Sequence, residues 1–509
     1  MLVNFDRIAS DPKKALLLIL GISIGIKLVL VVMSDIINPD AVRYINAAHE
    51  ILRRDFAAAF THEKMLGFAF LLGLTKLVVA DWFLAGKLLS ALPLVLTTLP
   101  LYLIARDLFG VRAALASAVM FSVLPYANGL VTEVVKGPMF LLCIVTSLWL
   151  VMRGLRNETW PELVGAACFA LLGMLFRVES MVYLATVMLM LGLFVCVGKG
   201  RRAAGLQRLL AFSALPVAVA CMGGAVILAG LVPPEILDRA AEHFGHYFTP
   251  HLFDNYVRIY QHLDEVERQF SGGQWSNDFF ELARYQLPLI YLVGLLQVFV
   301  KVLSPVFLLP LLFSFKLKQH RGAALALLLA VIFGFLGMDY LFLVKNNFIS
   351  GRYLLVPVIL SLVLAGYGLD RLLGTLSATG FAKFASVLVL FLCIMVPAVE
   401  SFAVLADQKI VLKTAGHWLA KHQDLDRLQI ITNNEQVVFY AGLMRRSYQV
   451  FPPAPAGGYE AEALQREGDL VILVFSATQY GQLPAFRQFR PLAEFADKRK
   501  KIVIYERIK

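Results

Sequence analysis

Long apolar runs separated by short polar stretches fill the first four hundred residues. We expect these runs to cross a bilayer as helices, because a span needs about 20 mostly apolar residues. The first run is too long for the apolar part of a signal peptide and lacks a small-residue cleavage site, so it is expected to remain as a span. Eleven candidate spans lie at 15–33, 83–105, 112–130, 136–152, 161–176, 180–197, 207–231, 287–315, 322–344, 352–370 and 382–404.

One further apolar run, residues 65–80, is marginal for crossing a membrane because it is short and contains Lys76. If this run does not cross, the short basic loops between the spans all face the side of the basic N-terminus, in agreement with the positive-inside rule. If it does cross, those loops all move to the outside. We therefore interpret 65–80 as re-entrant or interfacial, with about eleven spans and the N-terminus in the cytoplasm.

This topology places most polar residues on one side of the membrane. The segments 34–82 and 232–286 and the tail 405–509 then face outwards, whereas the inner side carries little more than short basic loops. Residues 1–404 are predicted to form a membrane domain with its large polar loops outside. A protein that concentrates its polar residues on one face is expected to act on that face, here the extracytoplasmic one.

The composition becomes polar in the tail, residues 405–509. A helical pattern covers 414–422, and a Pro-rich turn falls at 451–455. Short apolar runs typical of strands lie at 428–432, 437–440, 470–475 and 502–505. The tail is therefore predicted to be a small extracytoplasmic α/β domain of ordinary size.

Composition and charge support a membrane protein and exclude other classes. Hydrophobic residues make up 59% of the 509 residues and charged residues only 16%, against about 25% charged in soluble domains. The net charge of +11 comes largely from short basic loops, which indicates topology and contact with anionic lipids rather than nucleic acid. The five cysteines lie in apolar runs and suggest neither a metal site nor disulfides.

The stretch after the first span carries the most suggestive chemistry. Asn38 can cap a helix, Pro39 suits its first position, and Asp40 then falls in the first turn, where the helix dipole stabilises a carboxylate. Apolar residues at helical spacing through Leu52 predict an amphipathic helix on the membrane surface. Asp40 there could take a proton from a substrate hydroxyl, or it could simply help to start the helix.

Other charged residues at the outer ends of spans also have two interpretations. Glu133 is either a second acidic site or a solvated helix end. Lys64 and Lys136 suit phosphate binding, but lysines at such positions often extend towards lipid headgroups. Arg177 and Glu179 form either an ion pair lining a cavity or a simple outer turn.

The outer end of the span at 352–370 is the strongest candidate for phosphate binding. Gly351 permits close approach of the backbone, and the planar Arg352 side chain can grip two phosphate oxygens. Alternatively, Arg352 is an interfacial anchor beside Tyr353 in the aromatic belt. His243 and His246 have a spacing that suits a metal, but no third ligand is evident, so neither a metal nor another cofactor is predicted.

These features together resemble the C-type membrane glycosyltransferases, and within them glycosyltransferase family 39. That family includes protein O-mannosyltransferases and the bacterial enzyme that adds aminoarabinose to lipid A. The resemblance extends over nearly the whole chain, although the two prolines that usually follow the lysine of the family are absent after Lys64. It rests on Asp40 and the helix after it, and on the segments 62–66, 101–110, 133, 177–179, 352–357, 416–419 and 439–442.

The resemblance implies an integral-membrane enzyme that uses a polyprenyl-phosphate sugar as donor. The acceptor would be a hydroxyl or phosphate of a lipid, glycan or protein, and attack opposite the phosphate implies inversion at the sugar carbon. Asp40 would act as general base with Glu133 as a second catalytic carboxylate. Phosphate binding would fall to Arg352, Lys136, Lys64 and Arg177, and substrate positioning to Tyr44, His62, Glu179 and Tyr353.

The resemblance further implies the cytoplasmic membrane of a bacterium as the location, with membrane lipids as partners and no nucleic acid. Two other classes stay open. A flippase or transporter of lipid-linked oligosaccharides would need polar or broken helices at mid-membrane, whereas most polar groups here lie at the outer ends of spans. A polymerase or ligase of surface polysaccharide would use similar donors with a different fold.

Overall fold

The computed structural model divides the chain into two compact units. One contains Met1–Val29, Ser90–Leu130 and Lys136–Phe402, and the other contains Leu30–Leu89, Val131–Val135 and Ala403–Lys509. We refer to them as the membrane unit and the Asp40 unit. The structure describes residues 11–35, 37–197, 202–232, 234, 237–238, 241, 252–269, 274–315, 322–376, 382–403, 405, 410–422, 425–444, 447–451, 463, 465–476 and 487–508.

Long apolar helices make up most of the chain, as the hydropathy pattern predicts. Within the described ranges, nine helices have the length and apolar composition needed to cross a membrane, or ten if one bent pair counts as a single span. This confirms a helical polytopic membrane fold. The nine helices are Pro12–Met33, Trp82–Phe109, Gly137–Asn157, Ser180–Val197, Arg202–Leu228, Gln274–Leu303, Ala323–Asn346, Leu355–Leu376 and Ala382–Ala403.

Two predicted spans are interrupted. Residues 112–130 form the helices Val111–Val123 and Pro125–Thr132, which meet at an angle of 43°. The predicted span 287–315 ends as a continuous helix at Leu303, and a second helix, Pro305–Phe313, follows Ser304, whose φ of 69° is incompatible with a continuing helix. In both cases a proline begins the second helix, because proline cannot continue the hydrogen-bond ladder of the first.

Shorter helices account for the remaining difference from eleven spans. The predicted span 161–176 is the helix Trp160–Met174, whose 15 residues extend only about 22 Å against about 30 Å of hydrocarbon. The run 65–80 contains the ten-residue helix Gly67–Lys76, which is shorter still, as expected of a segment that does not cross. The other short helices are Pro39–Leu52, Phe56–His62 and Asp254–Gln269.

The helix Leu355–Leu376 forms the centre of the membrane unit and is buried along most of its length. Two of its glycines allow neighbouring helices to approach closely. A side chain at Gly366 would collide with Ser117 and the carbonyl of Ala113, and one at Gly368 would collide with the carbonyl of Pro310. Small residues at such crossings are typical of helix packing in membranes, where close van der Waals contact replaces the hydrophobic effect.

The tail contains the predicted small α/β domain. Its five-stranded sheet has the order β2-β1-β3-β5-β4, with β1 parallel to β2 and β3 and with β5 antiparallel to β3 and β4. The strands are β1 (Ile430–Thr432), β2 (Tyr448–Val450), β3 (Leu470–Ser476), β4 (Phe489–Ala496) and β5 (Lys500–Arg507). The helices are Ile410–His422 and Glu435–Tyr440, with a 3₁₀ turn at Leu425–Arg427.

One predicted strand of the tail is wrong. Residues 437–440 belong to the helix Glu435–Tyr440, and the side chain of Asn434 caps this helix by accepting a hydrogen bond from the backbone N–H of Gln436. A four-residue apolar run cannot distinguish a buried strand from a buried helical turn, and the cap decides it here. Strands β2 and β4 were not predicted. The proposed turn at 451–455 lies outside the described residues after Phe451.

Candidate active site

Asp40 lies in the first turn of the helix Pro39–Leu52, which we call the Asp40 helix. The predicted cap is present: the side-chain oxygen of Asn38 accepts a hydrogen bond from the N–H of Ala41 at 2.7 Å, and Pro39 occupies the first position. The carboxylate of Asp40 lies 3.7 Å from the guanidinium of Arg43, and its side chain is 32% exposed. A capped helix start thus fixes the backbone of a carboxylate that remains open to other molecules.

The Asp40 helix is amphipathic, as predicted, but part of its polar side is buried in the protein. Its polar residues Asn46 and Glu50 are buried, with exposures of 4% and 3%. Asn46 donates a hydrogen bond to the hydroxyl of Tyr448 at 3.3 Å. Tyr44 is also buried and packs edge-on against Phe68 at 5.2 Å between ring centroids, which is a packing contact within the Asp40 unit. Its predicted role in positioning substrate stays a prediction.

The segment with His62 and Lys64 joins the same unit through the residue between them. The buried carboxylate of Glu63 pairs with Arg43 at 3.4 Å and accepts a hydrogen bond from the N–H of Met65 at 3.2 Å. Arg43 also donates to the carbonyl oxygen of His62 at 3.4 Å. Arg43 therefore bridges Asp40 and this segment, while the Lys64 side chain is exposed.

Glu133 is tied to the start of the Asp40 helix. The side-chain amide of Asn38 donates to the carboxylate of Glu133 at 3.5 Å, the outer limit of a hydrogen bond, while its oxygen caps the helix. Asn38 therefore contacts one carboxylate and positions the backbone of the other. A shared catalytic role for the two acidic residues stays a prediction.

A second group of predicted residues comes together in the membrane unit. Arg177 and Glu179 form a buried ion pair, with the Nε of Arg177 donating to the carboxylate at 3.1 Å. Burial raises the pKa of the Glu179 carboxyl, but the charge and hydrogen bonds of Arg177, together with the charge of Lys136, outweigh burial and hold that pKa below its ordinary value. The ion pair is present, and it lies in a turn between two helices; that the pair lines a cavity stays a prediction.

Arg177 also joins this pair to the predicted phosphate-binding turn. It donates to the backbone carbonyl of Arg352 at 3.3 Å, and its guanidinium lies over the ring of Tyr353 at 4.9 Å. Gly351 packs closely within the membrane unit, since a side chain there would lie 2.7 Å from atoms of Tyr126 and Val302. Arg177, Glu179, Tyr353 and the backbone of Arg352 are thus in contact, and the charge of Lys136 acts on Glu179. We call these five residues the Arg177 cluster.

Asp339 is an acidic residue of the same unit that the sequence analysis overlooked. It lies within the helix Ala323–Asn346, is fully buried, and finds no hydrogen-bond partner for either carboxylate oxygen among the described residues. The charges of Arg177 and Glu179 act on it. A single acidic residue in an otherwise apolar span was the signal that could have identified it.

Two buried lysines, Lys27 and Lys87, were also overlooked, although each is a single charge in an otherwise apolar predicted span. Lys27 donates to the side-chain oxygen of Asn128 at 3.0 Å, and Asn128 in turn donates to the carbonyl of Ser122 at 3.0 Å, beside the break in the bent helix pair. In the Asp40 unit, Lys87 donates to the carbonyl of Ser34 at 2.8 Å, just after the end of the first span. These contacts satisfy polar groups at helix ends and breaks.

No group of three or more histidine, cysteine or acidic side chains with the geometry of a metal site occurs within the ranges that the structure describes. His243 and His246 lie outside those ranges. The predicted site residues therefore divide into two sets. The Asp40 unit holds Asp40, Tyr44, His62, Lys64 and Glu133, and the membrane unit holds Lys136, Arg177, Glu179, Arg352 and Tyr353.

Comparison with protein families places part of the chain among glycosyltransferases. Residues 63–223 match the family described as dolichyl-phosphate-mannose-protein mannosyltransferase. This match covers about a third of the chain and supports the resemblance inferred from the motifs. A search of curated proteins gives no match.

Solved structures share the fold of nearly the whole chain. ArnT from Cupriavidus metallidurans bound to undecaprenyl phosphate matches with 14% identity and a TM-score of 0.53, covering 96% of this chain and 97% of that one. The apo Archaeoglobus fulgidus oligosaccharyltransferase matches with 13% identity and a TM-score of 0.58, covering 92% and 70%. AglB from the same organism, in complex with an inhibitory peptide and a dolichol-phosphate, matches with 12% identity and a TM-score of 0.54, covering 91% and 69%. The chain therefore has the fold of the C-type membrane glycosyltransferases, as predicted.

Proposed function

We propose that this protein is an integral-membrane glycosyltransferase that moves a sugar from a polyprenyl-phosphate donor to an acceptor hydroxyl or phosphate. The acceptor belongs to a lipid, a glycan or a protein. Transfer takes place on the extracytoplasmic face of a bacterial cytoplasmic membrane and inverts the sugar carbon. Asp40 is the general base.

The observation that carries the proposal is the capped, partly exposed carboxylate of Asp40 beside Asn38 and Glu133. A general base must have a fixed backbone and an approachable side chain, and Asp40 meets both conditions. The fold adds support, because two proteins that share it were solved with undecaprenyl phosphate and dolichol-phosphate respectively. No nucleotide site is needed for such a donor.

For a hydroxyl acceptor, the reaction forms one bond and breaks one at the same sugar carbon. Asp40 takes the proton of the acceptor hydroxyl, and the oxygen attacks the anomeric carbon from the side opposite the phosphate. The bond between that carbon and the phosphate oxygen breaks, and its electron pair leaves on the lipid phosphate. Because a phosphate is already a fair leaving group, the protein has mainly to stabilise its negative charge.

Arg352 is the first candidate for that charge stabilisation. Its backbone is fixed by the hydrogen bond from Arg177 and by the packing of Gly351, so its side chain starts from a defined position. Lys136, Lys64 and Arg177 are the supporting cations. His62, Tyr44, Glu179 and Tyr353 are assigned to substrate positioning, with Glu179 and Tyr353 acting through their contacts with Arg177.

Substitution of Asp40 by asparagine tests the base directly. Asparagine keeps the shape of the side chain and suits a helix start, but it cannot take a proton. We expect Asp40→Asn to lower transfer by about 10²–10⁴-fold with expression unchanged. The assay uses purified protein in detergent, a panel of polyprenols carrying radiolabelled sugar phosphates, and a cell-envelope extract as the source of acceptor.

Asp55 offers a matched control, because it also starts a helix and its carboxylate accepts a hydrogen bond from the N–H of Ala58 at 2.9 Å. Asp55→Asn should retain activity, since it changes the same chemical group at a helix start outside the proposed site. The side chain in Glu133→Gln can still accept a hydrogen bond from Asn38, so any loss of activity in this variant measures the effect of removing the negative charge. If Asp40→Asn keeps more than about a tenth of the activity, the base assignment is wrong and Glu133 becomes the candidate.

The same assay separates an enzyme from a transporter of lipid-linked sugars. An enzyme releases the label from its lipid carrier in detergent, where there are no two sides between which to transport. Retention of all label on the carrier with every donor in the panel would contradict the glycosyltransferase proposal.

A further inference from the structure

The tail holds the segment that leads into the Asp40 helix. Ile37 is fully buried, and its N–H donates to the hydroxyl of Tyr440 at 2.6 Å. That hydroxyl in turn donates to the carbonyl of Asp35 at 3.0 Å, and the side-chain amide of Gln436 donates to the carbonyl of Ile37. Both backbone polar groups of Ile37 are therefore bound by one short helix of the tail, Glu435–Tyr440.

Tyr440 is held in position by burial and by close packing against a second helix of the tail. Burial raises the pKa of its hydroxyl to about 12. The hydroxyl donates to the carbonyl of Asp35 while it accepts from the N–H of Ile37. Gly416 brings the helix Ile410–His422 so close that a side chain there would collide with Tyr440 and the carbonyl of Val437. An ion pair between Lys413 and Asp35, at 3.2 Å, adds a contact from that helix.

The tail also holds the Asp40 helix further along its length. Tyr448, the first residue of β2, accepts a hydrogen bond from the buried amide of Asn46 at 3.3 Å. Contacts before the cap and in the second turn together fix both the position and the direction of this helix. Neither set touches Asp40, yet only Asn38 and Pro39 separate Ile37 from it. A shift of Ile37 therefore moves the cap and the carboxylate with it.

We propose that Tyr440 and Gln436 are positioning residues for Asp40, so that the tail completes the catalytic site through the backbone of Asp35 and Ile37. This inference rests on the proposed role of Asp40 as general base. It assigns the tail domain a part in the chemical step, in addition to any part in binding an acceptor. The two side chains act on the backbone that carries the base and contact no reacting atom.

Tyr440→Phe tests the inference because it removes one hydroxyl and keeps the buried ring. We expect kcat to fall by roughly 10- to 100-fold with the donor KM unchanged, since a displacement of about 1 Å at a reacting group can cost that much. Hydrogen–deuterium exchange of the full chain in detergent should show faster exchange of the Ile37 amide. Gln436→Met should give the same pattern with a smaller change.

Tyr505→Phe is the matched control, because Tyr505 is a buried tyrosine of β5 that packs in the core of the sheet. It should change neither kcat nor exchange at Ile37. Tyr440→Phe is also combined with Asp40→Asn. If Tyr440 acts through Asp40, it should have little further effect once the base is absent.

The outcomes separate this inference from the proposed function. Unchanged exchange at Ile37 in Tyr440→Phe, or faster exchange with a kcat equal to that of the parent, would overturn the positioning role. An equal loss of activity from Tyr440→Phe with and without Asp40 would overturn the coupling between the two residues. Full activity of Asp40→Asn would instead refute the base itself, whatever the exchange data show.

Discussion

Removing the negative charge of Glu179 should destabilise the Arg177 cluster strongly. Glu179→Gln keeps nearly the same side-chain shape, but it removes the negative charge that faces the buried guanidinium of Arg177. The Glu179 side chain is only 5% exposed and that of Arg177 only 12%. Solvent therefore screens the pair weakly, and little water can solvate the guanidinium of Arg177 once the negative charge is removed.

The magnitude follows from the distance between the two groups. At the 3.1 Å between Arg177 Nε and the carboxylate, with an effective dielectric constant of about 20, the Coulomb attraction is about 5 kcal/mol. Removing one partner of a buried pair typically costs about 3–5 kcal/mol. We therefore expect the free energy of unfolding to fall by about 3–5 kcal/mol. The same residue predicts a pH effect: because the pKa of Glu179 is lowered in the folded state, its stabilisation is present above the ordinary value of 4.5 and is lost as the pH falls below it.

Thermal unfolding in detergent, followed at several pH values, measures both effects. Glu158→Gln is the control, because Glu158 pairs with Arg208 at 2.8 Å but its side chain is 58% exposed, and such pairs contribute less than about 1 kcal/mol. Equal losses of stability in the two variants would refute the argument from burial. So would a Glu179→Gln protein that keeps the acid sensitivity of the parent below pH 4.5.

Three further outcomes are expected. Arg352→Ala should lower kcat/KM for the donor, and Arg352→Lys should recover only part of that activity because lysine lacks the planar fork that grips two oxygens. An Arg352→Lys enzyme equal to the parent would favour a simple interfacial anchor. Asp339→Asn should unfold no more easily than the parent, because an acidic group buried without hydrogen bonds costs free energy, and a marked drop in melting temperature would show that its charge is required. In a cysteine-free background, a cysteine at Lys498 should react with an impermeant reagent added outside cells and one at Leu206 should not, whereas the reverse pattern would contradict the assigned topology.

Hydropathy alone predicted the class of fold well, because apolar length is a property of each segment by itself. It could not locate the break at Ser304, where an apolar sequence continues through a change of backbone direction. The helix start at Asn38 was predictable for a similar reason, since a cap, a proline and an acidic residue act within one turn. Local rules succeed where the interaction that decides the structure is local.

The polar residues inside the fold show where such rules stop. Asn46 and Glu50 follow the spacing of a solvated helix face, yet they are buried, and Asn46 meets a tyrosine four hundred residues away in sequence. Asp339 and Lys27 lie in runs whose mean hydropathy hides a single charge. Whether such a residue faces water, lipid or a partner depends on packing between distant segments, which periodicity does not encode.

The position of Asp40 combines both kinds of information. The residues Asn38 to Ala41 determine that a helix starts at Asp40. The position of that helix start is held by Tyr440 and Gln436, which are distant in sequence. A carboxylate at a helix start is common, and by its sequence alone Asp40 resembles Asp55. The two differ in the contacts of the backbone around them. The tail helix Glu435–Tyr440 binds the backbone just before the Asp40 helix, whereas Asp55 follows directly after the Asp40 helix and its N–H donates to the carbonyl of Glu50 in that helix. If Asp40 needed only to begin a helix, its own cap would suffice, so the additional contacts are the better argument that its exact placement matters.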